Sequence, residues 1–201
     1  AQSKFIMVIA AVAGEDGSAA FVVDVGAGDI AGMTIVEESF MGLRPLSLSR
    51  IELADVVVPE TARINIDVAR LLDLSSIGLA AVAVGCCQAV LDYVVPYVND
   101  RTAFGEPISH RQSVAFMVAD MATELEAMRL LVYRAASRAE QGLAFHENAY
   151  WCRIFCAEKA MEIGTNGVQL LGGHGFIREH PVEMWYRNLR AAALLQGAVV
   201  I

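Results

Sequence analysis

From residue 114 to residue 132, apolar side chains recur three and four positions apart: Val114, Met117, Val118, Met121, Leu125, Met128 and Val132. That spacing lines one face of a helix, so a helix is expected over about 109–141, with its apolar stripe in a core. Ser109 reads as its N-cap, and Gln112, three residues on, completes a capping-box pattern. Gly142 suits the C-cap. A helix over 68–100 precedes it, with Pro96 at a kink or near the C-terminal end. A third helix is expected over about 147–171, stopped by Gly172-Gly173. A fourth starts near His180-Pro181, where proline suits a first turn, and runs toward residue 194.

Before residue 66 the period changes. Residues 5–9 and 19–23 are short β-rich runs joined by Gly14-Glu15-Asp16-Gly17, a hairpin turn. Residues 33–36 and 49–53 read as two more strands, and the stretch 55–59 ends the β part. The fold class is therefore α+β, mainly α: part of an antiparallel β domain (1–65), then an antiparallel four-helix bundle (66–201).

Composition narrows the function classes. The 201 residues are 56% hydrophobic and 19% charged, which suits a packed protein rather than a disordered one. A net charge of −8 with no local Lys/Arg cluster argues against nucleic acid. No unbroken apolar run of about 18 residues is found, so no membrane span is expected. The N-terminus has no basic n-region or cleavage site. Cys86, Cys87, Cys152 and Cys156 all fall in helical patterns. Cys152 and Cys156 are one turn apart, but no second pair follows at a metal-binding spacing, so they read as buried thiols and no metal site is expected.

Two stretches carry chemistry. Arg101-Thr102-Ala103-Phe104-Gly105-Glu106-Pro107-Ile108-Ser109-His110-Arg111-Gln112 joins the first two helices, and Gln169-Leu170-Leu171-Gly172-Gly173-His174-Gly175-Phe176 ends the third. Glycines in the second allow positive φ and close approach of a ligand. The first stretch resembles the Arg-x-x-Phe-Gly-x-x-Ile-x-x-x-Gln corner of the acyl-CoA dehydrogenases, at every fixed position. The second resembles their Gln-x-x-Gly-Gly-x-Gly segment. The likeness continues through Arg178-Glu179-His180-Pro181-Val182-Glu183, Tyr186-Arg187-Asn188, Met41-Gly42-Leu43-Arg44 and the run 51–59. It covers essentially the whole chain in order.

The resemblance implies an FAD-dependent α,β-desaturation of an acyl-CoA thioester, tetrameric assembly, and an electron-transfer flavoprotein as acceptor. It implies that Arg101 pairs with the flavin pyrophosphate, that Phe104 packs on a flavin or adenine face, and that Gln112 bonds the nucleotide part. The backbone from Gln169 through Gly172 and Gly173 closes the other side. The family's N-terminal helical domain and the first part of its β domain have no counterpart in these residues. A bacterial cytoplasmic location is expected, with the mitochondrial matrix as the alternative.

One position departs from the family pattern. The catalytic carboxylate belongs in a Tyr-Glu-Gly-Thr segment after the fourth helix. Here that segment is Leu195-Gln196-Gly197-Ala198. Gln196 stands at the base position and cannot take a proton. Some members carry the base early in the first helix of the bundle, a position matched by Ser75, with Asp73 two residues away on another face. Three classes remain open. One is an active homomeric enzyme with another base, such as Asp73. The second, favoured here, is a base-less subunit completed by a homologous subunit that carries the carboxylate, resembling actinobacterial heteromers acting on steroid side-chain CoA thioesters. The third is a non-catalytic scaffold. Yellow colour in the purified complex separates the flavin classes from the scaffold.

Overall fold

The computed structural model describes residues 4–26, 28–46 and 48–195. Gln196, Gly197 and Ala198 lie outside the described residues. The chain opens on an antiparallel hairpin. Strand β1 (Phe5–Ala11) pairs with β2 (Ser18–Asp24), from Phe5 opposite Asp24 to Ala11 opposite Ser18. β3 (Met33–Glu37) and β4 (Ser49–Leu53) form a separate two-stranded sheet. Sequence patterning anticipates these four strands. It misses β5 (Arg63–Ile64), which is too short to show a period and adds to the free edge of β2. Arg63 is held there by Glu15 of the hairpin turn, Nη1 to Oε1 at 2.7 Å.

Helix α1 (Val68–Asp100) starts at Asp67, whose carboxylate accepts from the Arg70 N–H at 2.9 Å. Pro96 falls close to its C-terminal end. A tight hairpin follows, β6 (Thr102–Ala103) with β7 (Glu106–Pro107). Helix α2 runs Gln112–Glu140, α3 His146–Leu171 and α4 Val182–Leu195.

The expected cap of α2 is not found. Ser109 lies inside a 3-10 turn (Ile108–His110), and Arg111 is the N-cap, with no side chain capping the helix. The hairpin displaces the start of the helix by three residues, so Ser109 and Gln112 no longer hold the capping-box positions. At the other end Gly142, at φ +69°, follows the C-cap Gln141, as a helix stop requires.

The main core is a cluster contributed by all four helices, and a smaller one joins Ile9 and Ala20 of the first sheet to Val68 of α1. Ala80, Cys87, Val90 and Val94 of α1 are fully buried. So are Met121, Leu125 and Met128 from the apolar stripe of α2, together with Cys152 and Cys156 of α3. The stripe's first members, Val114, Met117 and Val118, are only half-buried. Helix α1 also has an 18-residue window with mean hydropathy 1.9, apolar enough by length and composition to cross a membrane. Gly78, Gly85 and Gln88 interrupt its apolar residues, so it shows no unbroken apolar run. In the structure α1 packs against α2, α3 and α4.

Glycines set two close approaches. A Cβ on Gly167 of α3 would stand 2.5 Å from Val90 Cγ1, so α1 and α3 touch there almost backbone to side chain. A Cβ on Gly42 would stand 2.0 Å from the Arg187 carbonyl oxygen. At that junction Arg187 Nη1 donates to the Met41 carbonyl at 2.8 Å, and the Leu43 N–H donates to Asn188 Oδ1 at 2.8 Å. Glu183 holds Arg187 in turn, Nε to Oε2 at 2.7 Å, and this hydrogen bond lowers the Glu183 pKa. Two motifs 145 residues apart in the chain therefore meet, and Gly42 is required because backbone occupies the space of a side chain.

Gly42→Ala is expected to force α4 from the 41–44 segment, costing roughly 1–3 kcal/mol. Gly78, on α1 with nothing within 4 Å of its built Cβ, is the control. Gly78→Ala should hold or raise stability, by up to about 1 kcal/mol, from helix propensity. Urea midpoints of the two variants check this, and a Gly42→Ala midpoint equal to wild type contradicts it.

Candidate functional site

Three helix termini meet at one end of the bundle: the C-terminus of α1, the N-terminus of α2 and the C-terminus of α3. Between them is a cavity of about 920 Å³, within the usual size range of ligand pockets. Its lining includes Arg101, Phe104, Gln169, Gly172 and Gly173, five of the six cofactor-site residues expected from sequence. Gln112 does not line it, although its neighbours Arg111 and Ser113 do.

Arg101 is the C-cap residue of α1, where its N–H bonds the Tyr97 carbonyl. Its side chain is exposed and, among the described residues, forms no ion pair. Phe104 and Gly105 form the two-residue turn of the β6–β7 hairpin, at φ +56° and +87°. Positive φ at both central positions defines the tight turns that suit hairpins, and they are normally filled by Asn, Asp or Gly. A phenylalanine there is strained, and its ring is 95% exposed. Arg111 lies over the ring, Cζ 5.7 Å from its centroid.

The glycine segment forms the opposite wall. Gly172 caps α3 at φ +58°, a conformation L side chains rarely adopt. Gly173 is at neither a positive φ nor a crowded point: a Cβ there would meet nothing within 4 Å. The fold itself does not need glycine at 173, so the open space is available to a ligand. Gly175 differs, since its Cβ would stand 2.3 Å from the Val168 carbonyl oxygen.

Sequence reasoning missed the aromatic network behind this wall. Tyr97 Oη is 2.8 Å from His174 Nδ1 and 3.4 Å from the Leu171 carbonyl. Tyr93 Oη is 2.7 Å from His180 Nδ1. The two imidazoles stack at 5.1 Å between centroids, 18° from parallel. Tyr97 and His174 both line the cavity. Tyr97 lies one helical turn before Arg101, the one sequence signal that marks it.

The alternative base is placed elsewhere. Asp73 lies 28 residues before Arg101 on the same rod, roughly 40 Å away at about 1.5 Å per residue. Its carboxylate, 16% exposed, is engaged by His146 Nδ1 at 2.9 and 3.0 Å.

Exposed cations, a solvent-facing aromatic ring and a bare glycine backbone suit a flat, anionic ligand. Comparison with known proteins agrees in kind. Residues 66–199 match the acyl-CoA dehydrogenase C-terminal domain. The chain belongs to the acyl-CoA dehydrogenase family. It is 35% identical over 190 residues to the caffeyl-CoA reductase-Etf complex subunit CarC of Acetobacterium woodii, covering 92% of this chain and 50% of that protein. It is 38% identical over 126 residues to the mitochondrial short-chain specific acyl-CoA dehydrogenase of Mus musculus, covering 63% and 31%. Butyryl-CoA dehydrogenase from Megasphaera elsdenii superposes on 97% of this chain and 54% of its own, with TM-score 0.81 and 30% identity. The chain thus spans at most about half the length of these acyl-CoA dehydrogenase relatives.

Tyr97→Phe removes the partner of a half-buried imidazole nitrogen. A stability loss of about 1 kcal/mol is expected, read as a lower urea midpoint at unchanged slope. An unmoved midpoint would show that the hydroxyl contributes nothing to holding His174.

Proposed function

We propose that this chain is a subunit of an FAD-dependent acyl-CoA dehydrogenase that introduces an α,β double bond into an acyl-CoA thioester. In this reading residues 1–65 are the second half of the central β domain and 66–201 the C-terminal bundle. The observation that carries it is the cavity: Arg101, with no ion pair among the described residues, an exposed Phe104 in a strained turn and a Gly173 with open space share one wall system. Arg101 offers its guanidinium fork to the diphosphate. Phe104 presents a ring face for stacking. Gly172 and Gly173 let backbone approach the ligand. Gln112, at the first turn of α2, contributes to the nucleotide part from outside the cavity's lining. FAD, when bound, supplies the acceptor for the substrate's β-hydride.

The α-proton needs a base, and this chain offers none at the family position. Gln196 is an amide there, and Asp73 is bonded to His146 at the other end of the bundle. We therefore assign the base to a homologous partner subunit, in a heteromer whose shared site this chain completes. An electron-transfer flavoprotein is the proposed acceptor. The A. woodii relative, named as a subunit of an Etf complex, supports that choice. Steroid side-chain CoA thioesters are the substrates to test first, and the bacterial cytoplasm is the proposed location.

Two measurements test the reading. Arg101→Ala should weaken FAD retention by about one to two decades, since a charge-assisted contact is worth roughly 1.5–3 kcal/mol. Flavin content unchanged after gel filtration removes Arg101 from the site. Separately, dye-reduction assays on the complex should show turnover nearly unchanged by Gln196→Ala and abolished by Glu→Gln at the partner's base. If this chain without partner reduces the dye at rates of about 1–10³ per second, the assignment of the base to a partner is wrong.

A further inference from the structure

We propose that Arg111 is a second ligand-binding cation of this cavity, contacting the diphosphate of the cofactor alongside Arg101. The inference rests on the flavin reading above and adds a residue to it. The chain carries 15 Lys and Arg against 23 Asp and Glu, yet the cavity lining includes two arginines and no carboxylate. Arg101 comes from the end of α1 and Arg111 from the residue before α2, so the two flank the β6–β7 hairpin. Like charges gathered at one cavity repel each other, and a ligand with two negative charges turns that cost into attraction.

The partners of Arg111 leave it free to act. Its one ion pair among the described residues is Nη2 to Glu106 Oε1 at 3.1 Å, and both side chains are close to half exposed. Exposed pairs of this kind are weak, and this one engages a single nitrogen of a guanidinium with five N–H donors. Glu106 also has His110 Nδ1 at 3.3 Å, so it keeps a neighbour when Arg111 engages a ligand. The Phe104 ring lies beneath the guanidinium, 5.7 Å from Cζ to the ring centroid, and keeps it near the tip of the hairpin. A planar guanidinium fork is suited to bridging two phosphate oxygens, which a lysine ammonium does less well.

The test is flavin release from the purified complex, followed by fluorescence at rising salt, for wild type, Arg111→Gln, Arg111→Lys and Arg101→Ala. Arg111→Gln is expected to weaken FAD retention roughly tenfold and to flatten its salt dependence. Arg111→Lys should fall between it and wild type, with apoprotein melting unchanged in both. If Arg111→Gln holds FAD like wild type at every salt concentration while Arg101→Ala releases it, the role of Arg111 is overturned and the flavin reading stands. Equal losses in the Gln and Lys variants, accompanied by lower apoprotein melting, would make Arg111 a structural residue and also overturn it. A wild-type complex that binds no FAD removes the flavin reading and this inference with it.

Discussion

The contact of Val90 with Gly167 governs the rest of the molecule. Because position 167 has no side chain, α1 and α3 come close enough for a valine methyl to occupy that space. The two helices run the same way, so their C-terminal ends emerge side by side. One end carries Tyr97 and Arg101, the other Gln169 to Gly173. Helix α2 returns between them in the opposite sense and brings its N-terminus to the same place. The cavity is the space these three ends cannot fill. At the far end the same arrangement is closed by ordinary contacts: Asp73 with His146, and Arg70 over the Phe145 ring at 5.1 Å. The bundle is thus sealed at one end and open at the other.

The open end is poorly satisfied by its own chain, and that is its most informative property. Ion pairs, stacking and buried hydrogen bonds elsewhere involve partners within the chain. Three residues around the cavity depart from this: Arg101 forms no ion pair among the described residues, the Phe104 ring faces solvent in a strained turn, and Gly173 has room for a side chain. Local choices that agree with a fold need no outside explanation, while those that break local rules concentrate where something else binds. The Tyr97–His174 and Tyr93–His180 pairs are the counterweight. They tie the glycine segment to α1, so the wall that a ligand meets is anchored although two of its residues lack side chains.

The other organising junction joins the β part to the bundle. Gly42 lies against the Arg187 carbonyl, and Arg187 is held by Glu183 while donating to Met41. Family-like motifs at 41–44 and 183–188 are distant in sequence and have no evident purpose when read singly. Their contact explains both: one supplies a bare backbone, the other a carbonyl, an amide and a guanidinium to hold it.

Sequence by itself determined the class and the periodic elements. Helix α1 over 68–100, the apolar stripe of α2, the extent of α3, and the strands at 33–36 and 49–53 follow from apolar spacing and from breakers such as Gly172. These are local rules, and period survives whatever the helices pack against. Five of the six expected site residues reached the cavity for the same reason, since they cluster at two helix ends that short connections bring together. Tertiary structure decided what those rules do not encode. The hairpin at Phe104 replaced the expected Ser109 cap, because pairing of Thr102 with Pro107 and Ala103 with Glu106 moved the start of the helix. Gln112 fell outside the lining while Arg111 and Ser113 entered it, a matter of rotation about one helix axis. Strand β5, the tyrosine–histidine pairs and the Gly42 contact join residues 42 to 145 positions apart. Which partners meet at such separations depends on the packing of whole helices and strands against one another, and that is not written in any local stretch of sequence.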